Sequence, residues 1–208
     1  MIKNKIRRLY IMKSLQGTKT AENLAKAFAG ESQARNRYTF YAKVAEQEGH
    51  MYISNIFYET ANEERAHAKV FFDYLIQGLG KSFIKVDADY PIGYGNTEQN
   101  LQYAAEGEKE EWGKLYPEFA EVAKQEGFPE IEFSLKKIIQ VETTHEKRYL
   151  DLMDALKNGT LYKKDTNQYW KCINCGFIYE GLEAPKACPA CKYAQGWFQI
   201  AYNFKPEA

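Results

Sequence analysis

Gln140-Val141-Glu142-Thr143-Thr144-His145 decides how the rest of this chain is read. The helix-spaced positions around it are Phe128, Ile131, Leu135, Ile138, Glu142, His145, Tyr149, Leu152 and Leu156, in alternating steps of three and four. That period predicts a helix packed in a bundle with one apolar stripe facing inward. A carboxylate and an imidazole stand in the stripe where leucine belongs. Burying an isolated charge costs several kcal/mol, on the order of a domain's whole net stability. Something must compensate, and a metal ion is the direct candidate. A lone Glu-x-x-His is also what a surface pair or a satisfied core histidine looks like. The reading therefore depends on whether other helices repeat the anomaly.

They do. Residues 18–48 predict a helix opened by Thr18 or Thr20 and ended by Gly49, with the face Leu24, Ala27, Glu31, Ala34, Tyr38, Tyr41, Ala45. Residues 51–77 predict a second, with the face Ile53, Phe57, Thr60, Glu64, His67, Phe71, Tyr74 and a stop at Gly78 and Gly80. His50 falls in the turn between them and is assigned no role. Residues 81–96 are too long for a tight turn and predict a crossover along the bundle. Gly93-Tyr94-Gly95 lacks the third glycine and preceding strand of a dinucleotide loop and reads as a turn. The third helix starts near Asn96 or Thr97 with the stripe Leu101, Ala104, Glu108, Glu111, Leu115, Phe119, Val122. Gly107, Gly113 and Pro117 predict a kink or π-bulge near its carboxylates. The fourth runs from Pro129 to Asn158-Gly159.

The seam residues are thus Glu31, Glu64 with His67, Glu108 with Glu111, and Glu142 with His145. Glu31 and Glu64 are 33 residues apart and Glu108 and Glu142 are 34, which suggests two helix pairs related by a pseudo-two-fold axis. The pattern matches the known ligand set of ferritin-like di-iron bundles, one Glu from each of two helices and Glu-x-x-His from each of the other two. Oxygen-rich donors with two imidazoles suit iron or manganese. Two divalent cations would set four positive charges against five carboxylates. The competing reading is a set of solvated helix faces. Glu111 reads either as a seventh ligand or as an ordinary glutamate in an acidic neighbourhood.

All four cysteines lie between 172 and 191, so no disulfide framework spreads through the chain, which fits a reducing compartment. Cys172-Ile173-Asn174-Cys175 and Cys188-Pro189-Ala190-Cys191 form two knuckles around a 12-residue spacer, a strong signal for a four-thiolate metal site. Zinc and iron both accept that set. Trp170, Phe177, Tyr179, Trp197 and Phe198 predict a small aromatic core around it. The chain therefore divides into an N-terminal extension (1–11, with Met12 a candidate initiator), an all-α four-helix bundle (12–159), a polar linker (160–168) and a metal-knuckle domain (169–208). Lys and Arg balance Asp and Glu at 28 each, and no apolar run approaches 20 residues. Neither nucleic acid nor a membrane is the expected partner.

Several stretches resemble the rubrerythrin family: Ala27-Phe28-Ala29-Gly30-Glu31-Ser32-Gln33-Ala34-Arg35-Asn36-Arg37-Tyr38, Glu59-Thr60-Ala61-Asn62-Glu63-Glu64-Arg65-Ala66-His67-Ala68-Lys69, Leu115-Tyr116-Pro117 and His145-Glu146-Lys147-Arg148. The likeness runs from Met12 to about Phe204, and the cysteine region resembles rubredoxin. The resemblance implies a ferritin-like bundle with two non-haem irons on Glu31, Glu64, Glu108, Glu111, Glu142 and His145. It implies that His67 replaces Glu111 on one iron on reduction, and that Tyr38 and Tyr116 hydrogen-bond ligand carboxylates. It implies a cytoplasmic peroxidase that reduces hydrogen peroxide to water, active in oxidative-stress protection. Electrons would come through a third iron on Cys172, Cys175, Cys188 and Cys191, supplied by rubredoxin or a nicotinamide-dependent reductase. A head-to-tail homodimer is also implied. Ferritin-type iron storage or ferroxidase activity, and a structural zinc-ribbon module, are the alternative expectations.

Overall fold

The computed structural model describes residues 13–202; the expected extension, residues 1–11, and Met12 lie outside the described residues. Four rods build the larger part. The first is α1 (Lys19–Gln47) and the second α2 (Met51–Leu79). The third is α3 (Thr97–Glu110), a π-helical turn (Glu111–Leu115) and α4 (Tyr116–Gln125) in sequence. The fourth is α5 (Pro129–Lys157).

The caps follow from side-chain chemistry. Thr18 accepts from the Ala21 amide, and the Glu126 carboxylate from across the bundle accepts from the Lys19 and Thr20 amides. Asn96 and Gln99 form a reciprocal capping box at α3. Gly49 and Gly80 end α1 and α2 at φ +83° and +64°, where a side chain is strained. Gly78 does not terminate α2 as expected. It lies inside the helix, where an added Cβ would sit 2.5 Å from Leu15. Its absent side chain lets residues 13–18 close over the rod.

The segment from 80 to 96 runs along α1, as the crossover expectation requires. Tyr90 donates to the Lys26 carbonyl at 3.0 Å and Tyr41 donates to the Gly93 carbonyl at 2.8 Å. The α1–α2 and α3/α4–α5 hairpins are thereby joined by one long connection, the ferritin-like arrangement.

The third rod is where the stripe needs correction. Leu115 and Val122 are only half-buried, and Tyr116 and Ala123 take the inward places. Pro117 has no amide to continue the α pattern, and the Tyr116 amide bonds back to the Glu111 carbonyl. That five-residue closure inserts one residue, so the inward face turns toward Tyr116, Ala120 and Ala123 while Phe119 stays buried beside them.

The bundle core is two apolar clusters rather than one. Leu24, Phe71, Phe119, Leu135 and Ile138 belong to the first; Tyr38, Phe57, Leu101, Tyr149 and Leu152 belong to the second. On every rod the seam acid falls between a member of one cluster and a member of the other.

Three antiparallel strands form the small domain: β1 (Lys163–Cys172), β2 (Ile178–Glu183) and β3 (Phe198–Ile200), in the order β2-β1-β3. The stretch read as a polar linker thus holds more than half of β1. Trp170 is fully buried with Cys172, Cys188 and Phe198. Tyr179 is not in this core. It faces outward and its ring covers Gly181, where a Cβ would lie 2.6 Å from it.

The junction between the two parts is packed. Leu161 is buried in the second bundle cluster, and Tyr162 touches both that cluster and the Trp170 core. The His50 ring lies parallel to Tyr162, centroids 6.3 Å apart, so the turn histidine has a place in the seam between domains. Gly196 abuts the Gly49 carbonyl so closely that a Cβ would fall 1.7 Å from the oxygen. Gly196→Ala is expected to lift the small domain off the α1–α2 turn while its cysteine site stays intact. Small-angle scattering should show a larger radius of gyration with unchanged thiolate–metal absorption; an unchanged radius would mean another contact seats the domain.

Candidate metal centres

The seam acids converge. Glu31, Glu64 and Glu142 are fully buried, Glu108 is 1% exposed and His145 3%. They form two overlapping groups, Glu31, Glu64, His67, Glu142 and Glu64, Glu108, Glu142, His145, each with one donor atom per residue within 4.8 Å of the others. Glu64 and Glu142 are common to both. Each group is therefore two shared carboxylates, one private carboxylate and one imidazole, as the repeat in the sequence suggests.

His67 Nδ1 lies 2.8 Å from Glu142 Oε1, 3.0 Å from Glu64 Oε2 and 3.8 Å from Glu31 Oε1. His145 Nδ1 lies 2.8 Å from Glu142 Oε2, 3.1 Å from Glu64 Oε1 and 3.6 Å from Glu108 Oε2. Yet Glu31 Oε2, Glu64 Oε1, Glu108 Oε2, both Glu142 oxygens and His145 Nδ1 are buried without a hydrogen-bond partner. These atoms line the two groups at short range without hydrogen-bond geometry between them. Donors bound to one ion at about 2.0–2.2 Å stand roughly 3 Å apart, so the spacing fits metal ligation. Such a set of orphaned buried atoms is otherwise costly.

Glu111 stands outside both groups. It is half-buried, and its carboxyl reaches toward α1, where a Cβ at Gly30 would lie 3.8 Å from Oε1. It still feels the layer: burial and then the charges of Glu108, Glu142 and Glu64 push its pKa well above the carboxylate range. Burial followed by Glu111, Glu64 and Glu142 does the same to Glu31. Tyr116 donates to Glu31 Oε1 at 2.6 Å and Tyr38 donates to Glu108 Oε1 at 2.5 Å. Burial and the adjacent carboxylates hold both phenols well above their ordinary pKa, so they remain donors.

Three partners of this layer escaped the sequence reading. His145 Nε2 lies 3.1 Å from Glu63, and Arg148 binds Glu63, Glu59 and Thr60 together. Glu59 and Glu63 are four apart on α2, and Arg148 is one turn beyond His145 on α5. That spacing reads as two solvated helix faces; only the packing of α2 against α5 joins them.

In the small domain the four sulfurs also lie within 4.8 Å of one another, with Cys172–Cys191 and Cys175–Cys188 each at 3.7 Å. A tetrahedron with metal–sulfur bonds of about 2.3 Å has edges of about 3.8 Å. Both knuckles close alike: Gly176 and Lys192 donate amides to the Cys172 and Cys188 carbonyls, at φ +81° and +68°. Lys192 stands where a glycine is preferred. The Tyr193 amide, aided by Asn174, lowers the Cys191 thiol to about 6. The Phe177 amide favours the Cys175 thiolate, but burial and the neighbouring sulfurs push it up to about 12. A cation releases the site from sharing protons among four thiols.

Without metal, protons must neutralise the bundle layer. Burial opposes charging His67, but the Glu142 and Glu64 carboxylates raise it to about 10, and His145 is raised too. A histidine raised this way stabilises the fold fully below about pH 6.5 and loses that contribution as pH rises through its folded value. Acids raised by burial destabilise the fold as pH climbs above about 4.5, so both effects share one sign. The metal-free protein is expected to lose stability from pH 6 to pH 9, measured as a falling urea midpoint. The metal-loaded protein should not follow, because its ligands are already deprotonated. Equal slopes for both forms would sink this account.

Comparison with known proteins agrees with this geometry. The family model described as Rubrerythrin matches residues 22–153, and that of the rubrerythrin rubredoxin-like domain matches 170–199. Rubrerythrin-1 of Clostridium acetobutylicum is 54% identical over 91% of this chain and 97% of its own length. Rubrerythrin of Clostridium perfringens is 50% identical over the same shares. Nigerythrin, solved in its fully reduced, all-ferrous state, superposes with a TM-score of 0.60 at 26% identity over 94% of this chain and 95% of that one. A bacterioferritin from Desulfovibrio desulfuricans, 21% identical over 68% of this chain and 82% of its own, shares the bundle fold with a TM-score of 0.61. The chain belongs to the rubrerythrin family, di-iron oxidoreductases in which a ferritin-like bundle is joined to a rubredoxin-like domain, with iron at both sites.

Proposed function

We propose that this protein is a peroxidase that reduces hydrogen peroxide to two waters in the cytoplasm. The observation that carries the reading is the pairing of two shared-carboxylate groups in the bundle with a separate four-thiolate site on the same chain. Storage or ferroxidase activity uses the bundle but has no need of a one-electron carrier. The reaction consumes two electrons and two protons per peroxide. Iron held by Glu31, Glu64, His67, Glu108, Glu142 and His145 would supply Lewis acidity and two electrons, and iron held by Cys172, Cys175, Cys188 and Cys191 would supply single electrons.

Within this reading the chain's residues divide the work. Glu64 and Glu142, common to both groups, would serve both irons, with Glu31 and His67 completing the ligands of one and Glu108 and His145 those of the other. Glu111 is assigned as the alternative to His67, its carboxyl held in the acidic layer but outside both groups. Tyr116 and Tyr38 fix one oxygen each of Glu31 and Glu108 and leave the other oxygen free for a cation. The two apolar clusters exclude bulk water from the layer, which strengthens every charge interaction inside it.

The same geometry supports a head-to-tail dimer. The small domain seats on Gly49, and Glu31 lies eighteen residues up α1. At about 1.5 Å per residue that is about 27 Å along the rod. Electron transfer falls off steeply with distance, so a second chain that brings its thiolate site to this bundle gives the shorter route. Rubredoxin or a nicotinamide-dependent reductase is the proposed external donor. Among the described residues no helix is long and apolar enough to cross a membrane.

Glu64→Ala is expected to abolish peroxide turnover and leave the red thiolate–iron spectrum unchanged. Cys175→Ser is expected to allow a single turnover by the reduced bundle and block further ones. Anaerobic stopped-flow mixing of reduced protein with peroxide reads both. Faster oxidation by air than by peroxide would favour the ferroxidase reading instead.

A further inference from the structure

The two imidazoles are not held alike, although the repeat makes them equivalent by sequence. His145 Nε2 lies 3.1 Å from Glu63 Oε2. A carboxylate only accepts, so Nε2 keeps its proton whether or not a metal is bound, and Nδ1, which faces Glu64, Glu108 and Glu142, is the nitrogen whose proton a metal would replace. Glu63 is itself clamped. Arg148 Nη2 donates to the same Oε2 at 3.1 Å and to Thr60 Oγ1 at 2.6 Å, and Nη1 donates to Glu59 Oε1 at 2.8 Å. The second nitrogen of His67 has no hydrogen-bond partner among the described residues, and its side chain is 12% exposed.

The repeat shows where the brace is missing. Overlaying Glu64-x-x-His67 on Glu142-x-x-His145 places Glu63 on Val141 and Arg148 on Val70. Neither valine can accept or donate. The brace is therefore supplied to one histidine and withheld from its symmetry mate.

We propose that Glu63, clamped by Arg148, is a positioning residue that makes His145 the fixed nitrogen ligand, whereas the valines at the equivalent positions leave His67 free to leave its metal. This rests on the ligand assignment proposed above. Glu111, the proposed alternative to His67, reaches toward Gly30, next to Glu31, the private acid of the His67 group.

The test is an anaerobic titration of the metal-free full-length protein with cobalt(II), read by calorimetry and by ligand-field absorption. Glu63→Ala is expected to weaken one of the two bundle sites about 10–100-fold, the range for loss of a partner behind a metal ligand. The other bundle site and the thiolate–cobalt band should stay as in wild type. Glu63→Gln, which keeps an acceptor oxygen, should recover most of the affinity, and Glu59→Ala, which touches Arg148 but not His145, should change it little. Should Glu63→Ala not fold, Arg148→Lys carries the test, with weakening expected at the same site. Wild-type affinities at both bundle sites in folded Glu63→Ala and Arg148→Lys variants would overturn the proposal. A wild-type bundle that takes up no cobalt pair would overturn the ligand assignment itself, a distinguishable failure.

Discussion

Mutual repulsion among buried carboxylates is the constraint on which this structure turns. Glu31, Glu64, Glu108 and Glu142 are brought from four rods into one layer that water does not reach. Apolar clusters above and below hold the rods at fixed spacing, so the acids cannot relax apart. Such a layer is tolerable only with cations in it, whether protons on the histidines or metal ions between the oxygens. The dispersion and hydrophobic energy of two ordinary cores is what keeps an intrinsically unfavourable centre assembled.

Departures from regular structure serve that centre. The π turn moves Tyr116 inward, where it reaches Glu31, and leaves Glu111 one turn past Glu108 beside the layer. A continuous α-helix would bring Leu115 inward instead and leave Glu31 without its donor. Tyr38, on the opposite pair of helices, does the equivalent for Glu108. The pseudo-two-fold repeat is thus closely kept among the converging acids and imidazoles and relaxed around them, most clearly where Glu63 and Arg148 have valine counterparts.

The thiolate site solves a different problem. A segment of some 40 residues has too little apolar surface to fold unaided, and its core amounts to Trp170, Phe198 and a few neighbours around the sulfurs. A metal on the four sulfurs would close this domain. Its packing on the α1–α2 turn, through Gly196, Tyr162 and His50, makes the junction a defined surface instead of a loose tether.

Much of this was legible in the residues alone. Charged members of an otherwise apolar 3/4 stripe can be counted on each rod, and the spacing of the paired knuckles marks four thiols that the fold brings together. The crossover and the irregular turn were legible too, because chain length and Pro117 constrain the backbone locally. What the residues could not supply is any relation that depends on which rods touch. The bracing of His145 by Glu63 and the close approach of Gly196 to Gly49 both arise between segments far apart in the chain. Helical and strand periodicity records which face a residue takes on its own element. The partner met on that face is decided by tertiary packing.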